Sequence, residues 1–320
     1  MVSKKLYIES EHFNDSFSEN IKIVDGGSRG PLFSPFNNLK TKLDIYAFEP
    51  DVEAKKEEGG SFQNKFFISK GLWSDEGKTN LHLASTPSTS SVYPPNFDIL
   101  KFFSKKIGIP PRTTKEIVEI PTTSIDRSVN SKIIDSPHFI KLDVHSSEFE
   151  ILLGSENSID KSVMGIMVET WHHPIHKGQH LHGEIETFLN NKGFFIFNFD
   201  PRSEWQMYNS NYTTNKDERE VLIGSESVFL RHPESIETFS YELQLLSVAF
   251  AQLFGFGNYS CHICDHLFDK KLIDKKNYKI IIDLLNQNSS NTFGFKLKSY
   301  MSRLYSAVRG KKIKNKKFYK

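Results

Sequence analysis

Acidic residues and glycines stand together at the end of the first apolar segment of this chain. In "IKIVDGGSRG", residues 21–30, Asp25 follows a run of apolar residues and precedes a cluster of glycines. Glycine lets the backbone adopt positive φ and approach a ligand closely, and a carboxylate accepts hydrogen bonds or pairs with a cation. Glu49 ends the next apolar segment, roughly two dozen residues later, the spacing at which an acid binds the ribose hydroxyls in nucleotide-binding α/β units. The predicted ligand contacts are Asp25, Gly26, Gly27, Gly30 and Glu49; an ordinary glycine turn beside a surface acid fits the same spacing.

The glycine spacing distinguishes between two ribose-containing ligands. The pattern is Gly-Gly-x-x-Gly and not the Gly-x-Gly-x-x-Gly of dinucleotide-binding proteins, and Asp25 would repel a pyrophosphate. S-adenosylmethionine carries a ribose, an ammonium and a sulfonium, which suit these acids better than a nicotinamide dinucleotide does. We therefore predict S-adenosylmethionine as the cofactor, with Asp75 as a further contact from a turn downstream.

A second set of reactive residues follows two later apolar segments. Methyl transfer from a sulfonium to a weakly acidic acceptor requires a group that takes up the acceptor's proton, and the candidates are Asp143, His145, Glu169, His172 and His173. We predict His145 as the base because imidazole titrates near neutral pH, with Asp143 orienting the ring or contacting the cofactor and His172 as a further catalytic candidate. A structural histidine at the end of a strand is the alternative interpretation. Glu148 is expected to brace the start of its own helix.

Histidines are concentrated in "ETWHHPIHKGQHLH", residues 169–182. The spacing matches no standard zinc pattern, and we predict no metal; a polar rim around the acceptor, with Trp171 as a stacking platform, is the favoured role. The pair Cys261 and Cys264 lies beside His266 without an evident fourth ligand, so we assign it no function.

Short β-branched and aromatic segments alternate with helical ones up to about residue 230, which predicts an α/β fold with a largely parallel sheet. The predicted strands are residues 21–25, 44–49, 65–69, 139–144, 165–170, 194–199 and 226–231, with helices over 146–155 and 181–193. "GLWSDEGKTNLHLAS" is predicted to form a hairpin that turns at Asp75, and "TPSTSSVYPPN" to form an irregular loop.

Helical periodicity replaces the strand signals after residue 233. We predict a methyltransferase-sized domain over residues 1–232, a helical extension over 233–310 and a basic tail over 311–320. The net charge of +2 gives no reason to expect a nucleic-acid partner, and "LQLLSVAFAQLFGFG" predicts a buried helix and not a membrane span. We expect a cytoplasmic protein, with the basic C-terminus able to contact an anionic membrane surface.

Several motifs together resemble the FkbM-type S-adenosylmethionine-dependent methyltransferases. In order they are "IVDGGSRG", "YAFEP", "TTSID", "FIKLDVHSSEFEILLGS", "GIMVET", "NNKGFFIFNF" and "GSESVFLR", which span about residues 20–232. The most specific is similar to the family signature Lys-x-Asp-x-Glu/Gln-Gly-x-Glu-x-x-x-Leu-x-Gly, and the matching residues are Lys141, Asp143, Glu148, Leu152 and Gly154. His145 and Ser146 depart from it.

The resemblance implies a Rossmann-like sheet of seven strands whose last strand is antiparallel. It also implies O-methylation, typically of hydroxyls on sugars or natural products. We therefore expect a methyltransferase acting on a glycan or polysaccharide. A small non-sugar metabolite as the acceptor, or a non-catalytic S-adenosylmethionine-binding module, are the alternatives, and the oligomeric state stays open.

Overall fold

The computed structural model describes residues 6–29, 32–51, 64–208, 211 and 219–287. Its strands are β1 (Ile21–Gly26), β2 (Leu43–Phe48), β3 (Asn64–Ile68), β4 (Gly71–Leu72), β5 (Gly77–Ala84), β6 (Thr114–Thr123), β7 (Phe139–Leu142), β8 (Gly165–Trp171), β9 (Phe194–Trp205) and β10 (Val221–Arg231). Its helices are α1 (Glu11–Ser16), α2 (Phe97–Leu100), α3 (Ile109–Arg112), α4 (Ile125–Asn130), α5 (Glu148–Leu153), α6 (Glu156–Lys161), α7 (His182–Asn191), α8 (Tyr241–Leu253), α9 (Gly257–Asp269) and α10 (Lys275–Gln287). No helix within these ranges has the length and hydropathy needed to cross a bilayer.

The main sheet has seven strands in the order β3-β2-β1-β7-β8-β10-β9. The first five run parallel, whereas β10 is antiparallel to both of its neighbours. β1 is the central parallel strand, and its near-continuous burial explains why Lys22 is the one polar residue in "IKIV". The expected α/β fold with a Rossmann-like methyltransferase sheet and an antiparallel last strand is confirmed. The carboxyl ends of β1, β2, β7 and β8 meet at one edge, where open α/β sheets bind ligands.

The C-terminal helices form one layer on this sheet. Phe250 of α8 is fully buried, and its ring contacts Phe36 and Phe139, with centroids 5.7 Å and 5.5 Å away. Between β1 and β2 the described residues contain only a 3₁₀ turn, Phe36–Asn38, so the first crossover lacks the α-helix that the alternation predicts. α8 and α9 cover the face of the sheet that such a helix would cover. The extension predicted after residue 233 is therefore helical and shares the core; its boundary with the preceding domain stays a prediction, and residues 288–320 lie outside the described ranges.

The opposite face of the sheet is covered by α4, α5, α6 and α7. Ile125, Ile151, Ile159 and Leu189 pack there against apolar side chains of the central strands. The predicted helices over 146–155 and 181–193 are confirmed as α5 and α7.

A second sheet, in the order β4-β6-β5, lies between β3 and β7 in the chain. The predicted hairpin around Asp75 is wrong, because β6 pairs with both β4 and β5 and separates them. β6 alternates polar and apolar residues along an exposed ribbon and was not among the predicted strands. A local turn signal between β4 and β5 cannot show that a strand some forty residues downstream will pair between these two strands.

The chain between β5 and β6 forms a cap over the carboxyl edge, defined here as residues 85–113. The backbone N–H of Asn96 donates to Ile175 O at 2.8 Å, and its side-chain amide donates to Pro174 O at 2.8 Å. The N–H of Lys177 donates to Pro94 O at 2.9 Å. These bonds fix the cap to the segment that follows β8, so the cap closes over the reactive residues at the end of that strand.

Candidate active site

The glycine loop after β1 allows a close approach of two backbone segments. Gly27 has a φ of +74°, and a Cβ atom there would lie 2.0 Å from the carbonyl oxygen of Asp143. The N–H groups of Gly27 and Ser28 donate to Phe48 O at 3.1 Å and 3.4 Å, which joins the ends of β1 and β2. The hydroxyl of Ser28 is buried and has no hydrogen-bond partner. Glycine is therefore required at position 27, whereas Gly30 lies outside the described residues.

Asp25 points toward a buried lysine. Lys141 Nζ lies 3.0 Å from Asp25 Oδ1 and 3.7 Å from Asp143 Oδ2. Burial acts to lower the pKa of Lys141, but the two carboxylates outweigh it and raise the pKa. Lys141 thus neutralises part of the acidic charge at the ends of β1 and β7. The matched signature residues Lys141 and Asp143 hold this edge together, and the Asp143 side chain is exposed there.

Glu49 follows β2 beside the glycine loop. Its Oε1 accepts from the N–H of Asp51 at 3.0 Å, and burial raises its pKa despite that bond. Asp75 lies in an exposed turn, where its Oδ1 accepts from the N–H of Glu76 at 2.7 Å. Asp25 and Glu49 thus lie at the carboxyl ends of the adjacent parallel strands β1 and β2, whereas Asp75 lies in the turn between β4 and β5, and its contact with the cofactor stays a prediction.

His145 lies at the centre of the edge, just beyond β7. Its side chain is 14% exposed, its Nδ1 is 3.6 Å from Glu169 Oε2, and its Nε2 is buried without a hydrogen-bond partner. Burial and the positive charge of Arg112 lower the pKa of His145 to about 3. The imidazole is therefore neutral at neutral pH. The carboxyl group nearest to the His145 ring nitrogens is that of Glu169. One of the two roles predicted for Asp143 was to orient this ring.

Glu169 lies on β8 and is the acid that faces His145. Burial and the nearby Asp143 raise its pKa well above the usual value, and Glu169 Oε2 has no hydrogen-bond partner. Sequence reasoning placed Glu169 among the candidates but did not select it. To select Glu169 as the partner of His145, one must know which side of β8 faces the loop after β7. The sequence alone does not contain that information.

The two residues that depart from the family signature have left-handed backbone conformations. His145 has a φ of +63° and Ser146 a φ of +103°. The signature has glycine at the second position, and Ser146 tolerates the glycine-like conformation because its hydroxyl bonds to His176 Nδ1 at 2.7 Å. Glu148 accepts from the N–H groups of Val144 and Ser146, so its predicted role of bracing the start of α5 is confirmed.

Two further buried polar groups border the site. Trp171 is 1% exposed, its ring lies 4.8 Å from that of His145, and its Nε1 has no hydrogen-bond partner. This burial does not agree with the predicted role of Trp171 as a stacking platform for an acceptor. Arg112, from the cap, stacks on Trp205 at 4.3 Å, and its Nε also has no partner. No sequence signal identified Arg112, because it comes from the irregular insertion.

His172 belongs to a different environment. Its Nε2 lies 3.0 Å from Ser225 Oγ, which in turn contacts Thr170 Oγ1 at 2.9 Å. Because neighbouring residues of a strand face opposite sides, Thr170 and His172 lie across the sheet from Glu169. The structure thus brings together His145 and Glu169 but not His172. Among the described residues no group of three or more histidines, cysteines, aspartates or glutamates is arranged to hold a metal ion.

The family model described as "Methyltransferase FkbM domain" matches residues 30–196, slightly more than half of the chain. The chain belongs to the FkbM methyltransferase family. None of the curated proteins compared with the chain matches it.

Three solved structures show a partial likeness to this FkbM methyltransferase. The methyltransferase FkbM from Methylobacillus flagellatus KT is 12% identical, with a TM-score of 0.35 over 71% of this chain and 47% of its own. A magnesium protoporphyrin IX methyltransferase from Synechocystis PCC 6803, solved with bound SAM, is 10% identical, with a TM-score of 0.32 over 69% of this chain and 74% of its own. An rRNA methylase from Streptococcus thermophilus is 9% identical, with a TM-score of 0.28 over 72% of this chain and 98% of its own. The chain thus spans about half the length of the FkbM neighbour.

S-adenosylmethionine is the cofactor of the FkbM family, and the residues of this edge fit it. The half-buried carboxyl of Glu49 is suited to the ribose hydroxyls, and the unpartnered Ser28 hydroxyl offers a hydrogen bond inside the glycine loop. Gly27 keeps that loop narrow. Asp25, Gly26, Gly27 and Glu49 are the described residues that would hold the cofactor.

Proposed function

We propose that this FkbM methyltransferase transfers the methyl group of S-adenosylmethionine to a hydroxyl oxygen of a sugar in a glycan or polysaccharide. One observation carries the proposal, namely the set of buried, unpartnered polar atoms around the end of β8. The atoms are His145 Nε2, Glu169 Oε2, Trp171 Nε1 and Arg112 Nε. Buried polar groups without partners are unfavourable unless a ligand or water satisfies them.

This set contains donors and acceptors at once. The N–H groups of Arg112 and Trp171 donate, whereas Glu169 Oε2 and His145 Nε2 accept. A hydroxyl both donates and accepts, so a molecule with several neighbouring hydroxyls satisfies such a set better than an apolar or purely accepting one. A sugar has this property.

The residues of the site divide the reaction between them. S-adenosylmethionine, when bound, supplies an electrophilic methyl group. His145 accepts the hydroxyl proton at Nε2, and the carboxyl of Glu169 lies near Nδ1, where its ionised form would stabilise the charged imidazole. Asp25 and Glu49 hold the cofactor at β1 and β2, and the cap excludes water from the acceptor side.

A small non-sugar metabolite with a hydroxyl remains the second candidate acceptor. A non-catalytic module is disfavoured by the neutral imidazole beside a buried acid, since a binding module has no use for a base at this position. These alternatives differ in turnover and in acceptor, and one assay compares them.

The test is methyl transfer from radiolabelled S-adenosylmethionine to a panel of glycans, nucleotide sugars and small hydroxylated metabolites. Label in a sugar product that alkali does not release supports the proposal, because an ether survives alkali and an ester does not. Label only in small metabolites moves the function to the second candidate. Binding of S-adenosylmethionine without label in any product refutes the catalytic assignment for this panel.

A further inference from the structure

Two arginines are buried in the part of the chain that the structure describes, and their surroundings differ. Arg231 is 4% exposed and donates from Nε and both terminal nitrogens to the carbonyls of Val163, Lys192 and Ile159. Arg112 is 7% exposed, yet it makes one protein hydrogen bond, to the carbonyl of Ile107, and its Nε has no partner. Arg231 is satisfied by the fold itself, whereas Arg112 is not.

The charge of Arg112 also lacks a direct ion pair within the described residues. Glu169 is the acid whose charge acts on the guanidinium, and burial lowers the pKa of Arg112 despite that attraction. A desolvated cation without a direct ion pair is unfavourable, and its stacking on Trp205 compensates only part of that cost. Such a group indicates that the site is completed by an anion.

The position of Arg112 shows which ligand supplies that anion. Arg112 ends α3 in the cap, and its charge acts on Glu169, His145 and His176. Its stacking partner Trp205 shares an apolar cluster with Trp171, whose ring contacts His145. These residues border the end of β8, on the acceptor side, whereas Asp25 and Glu49 lie at the ends of β1 and β2.

We propose that Arg112 binds a carboxylate of the acceptor, so that the sugar methylated by this protein is an acidic one, such as a uronic acid residue. This inference rests on the proposed function and specifies its substrate class. A guanidinium matches a carboxylate with two parallel hydrogen bonds, and Trp171 Nε1 offers a further donor nearby. A phosphate fits less well, because its charge of about −1.5 to −2 would stay partly unbalanced beside Glu169 and Asp143.

Binding of that carboxylate would also prepare the base. Arg112 is one of the groups that lower the pKa of His145, and a carboxylate paired with Arg112 would offset its charge. The imidazole would then accept a proton more readily when an acidic sugar is bound. The site would thus favour acidic acceptors in the chemical step as well as in binding.

The experiment compares matched acceptors and matched arginine variants in the full-length protein. Each acceptor pair consists of a uronic acid glycoside and its carboxyl-reduced neutral counterpart, assayed for kcat/KM with labelled S-adenosylmethionine. The variants are Arg112→Gln, Arg112→Lys and the control Arg127→Gln, which removes an exposed arginine paired with Glu76 at 3.1 Å. For each variant, calorimetry measures the affinity for S-adenosylhomocysteine and for the uronic acid glycosides, and thermal unfolding measures the unfolding temperature.

We expect the wild type to prefer the acidic member of a pair by about 10- to 100-fold in kcat/KM, the size of a lost charge-assisted hydrogen bond. Arg112→Gln removes the preference, Arg112→Lys retains part of it, and Arg127→Gln leaves it unchanged. The unfolding temperature of Arg112→Gln without sugar stays equal to or above that of the wild type, since an unpaired buried charge has been removed.

Three results overturn the inference. The first is a preference of the wild type for the neutral sugars. The second is a loss of S-adenosylhomocysteine affinity in Arg112→Gln, because that result assigns the guanidinium to the cofactor's carboxylate. The third is a lowered unfolding temperature of Arg112→Gln with an unchanged preference for acidic sugars, because that result makes Arg112 structural. If no sugar is methylated, the proposed function fails. Calorimetry with the uronic acid glycosides then tests separately whether Arg112 binds a carboxylate. Uronic acid binding that Arg112→Gln abolishes then supports it, and absence of such binding refutes it.

Discussion

At the scale of single residues, burial drives the neighbouring groups His145 and Glu169 toward their uncharged forms. Burial lowers the pKa of His145 to about 3 and raises the pKa of Glu169. The two side chains are 3.6 Å apart, so a charge on either one would favour the opposite charge on the other. A proton delivered by an acceptor hydroxyl therefore enters a pair that can share its charge, and not an isolated base.

The role of His145 is tested by replacing it with alanine. We expect a loss of about 100- to 10,000-fold in kcat, the usual contribution of general acid–base catalysis, while the affinity for S-adenosylmethionine stays near that of the wild type. His172→Ala is the comparison, since His172 contacts Ser225 on the other side of the sheet. A larger loss in His172→Ala than in His145→Ala would move the base to that side.

The role of Glu49 is tested by calorimetry with S-adenosylmethionine on Glu49→Ala. Loss of a carboxylate that binds two hydroxyls should weaken binding by roughly 1.5 to 3 kcal/mol. The matched variant is Asp75→Ala, which removes an acid from an exposed turn and tests the predicted contact of Asp75. Unchanged affinity in Glu49→Ala would refute the assignment of that residue to the ribose.

The buried histidines predict a pH dependence of the free energy of unfolding. Burial lowers the pKa of His145 to about 3 and that of His176 to about 2, both below the ordinary 6.5. Their contribution is thus fully present above pH 6.5 and is lost as the pH falls through the acidic range, because the unfolded chain binds protons first. The loss is about 1.4 kcal/mol per pH unit for each histidine.

Glu148 and Glu169 oppose this trend, because their pKa values are raised in the folded state and protonation stabilises it as the pH falls. The histidine effect is therefore isolated by comparing His176→Asn with the wild type. Denaturant unfolding between pH 6 and pH 4 should show a slope that is smaller by about 1.4 kcal/mol per pH unit in the variant. Equal slopes would mean that His176 titrates alike in the folded and unfolded chains.

At the scale of elements, the site depends on segments that are distant in sequence but joined at one edge. The cap is held to the segment after β8 by the bonds of Asn96 and Lys177, and it delivers Arg112 to the acceptor side. α8 and α9 cover the face of the sheet where the chain between β1 and β2 provides only a 3₁₀ turn. The strands that carry Asp25 and Asp143 are therefore supported from behind by the C-terminal helices.

This support predicts a large effect of Phe250→Ala. Phe250 is fully buried against Phe36 and Phe139, so its truncation leaves a cavity and should lower the free energy of unfolding by about 3 to 5 kcal/mol. The exposed Phe102→Ala is the control for loss of an aromatic ring without a cavity. A cost below about 1 kcal/mol, measured by denaturant unfolding, would show that α8 is not integral to the core.

In the molecule as a whole, the described residues form a seven-stranded sheet with helices on both faces, a second sheet of three strands, and a cap at the carboxyl edge of the main sheet. The catalytic candidates lie beneath the cap. The basic C-terminal segment predicted to contact a membrane surface lies outside the described residues, so that contact is a proposal from its composition alone.

Liposome co-sedimentation tests the proposed membrane contact. The full-length protein should bind vesicles that contain anionic lipid more strongly than a variant ending near Ser290, because each lysine or arginine near such a surface contributes about 1 kcal/mol. Neutral vesicles are the control, and the difference should disappear at high salt. Equal binding by both proteins, or binding by neither, excludes the tail as the contact.

Local patterns in the sequence predicted the parallel strands, the acids that follow them and the helical C-terminus, because each of these depends on local periodicity or on a residue next to its own element. Asp25, Glu49 and His145 were predicted as site residues in this way. Contacts in the folded protein were needed to show that Glu169 faces His145, that Trp171 is buried, that β6 separates β4 from β5 and that Arg112 lies near His145. These facts depend on contacts between segments that are far apart in the chain. The free energy of packing determines which segments pair, and a local sequence pattern does not contain that information.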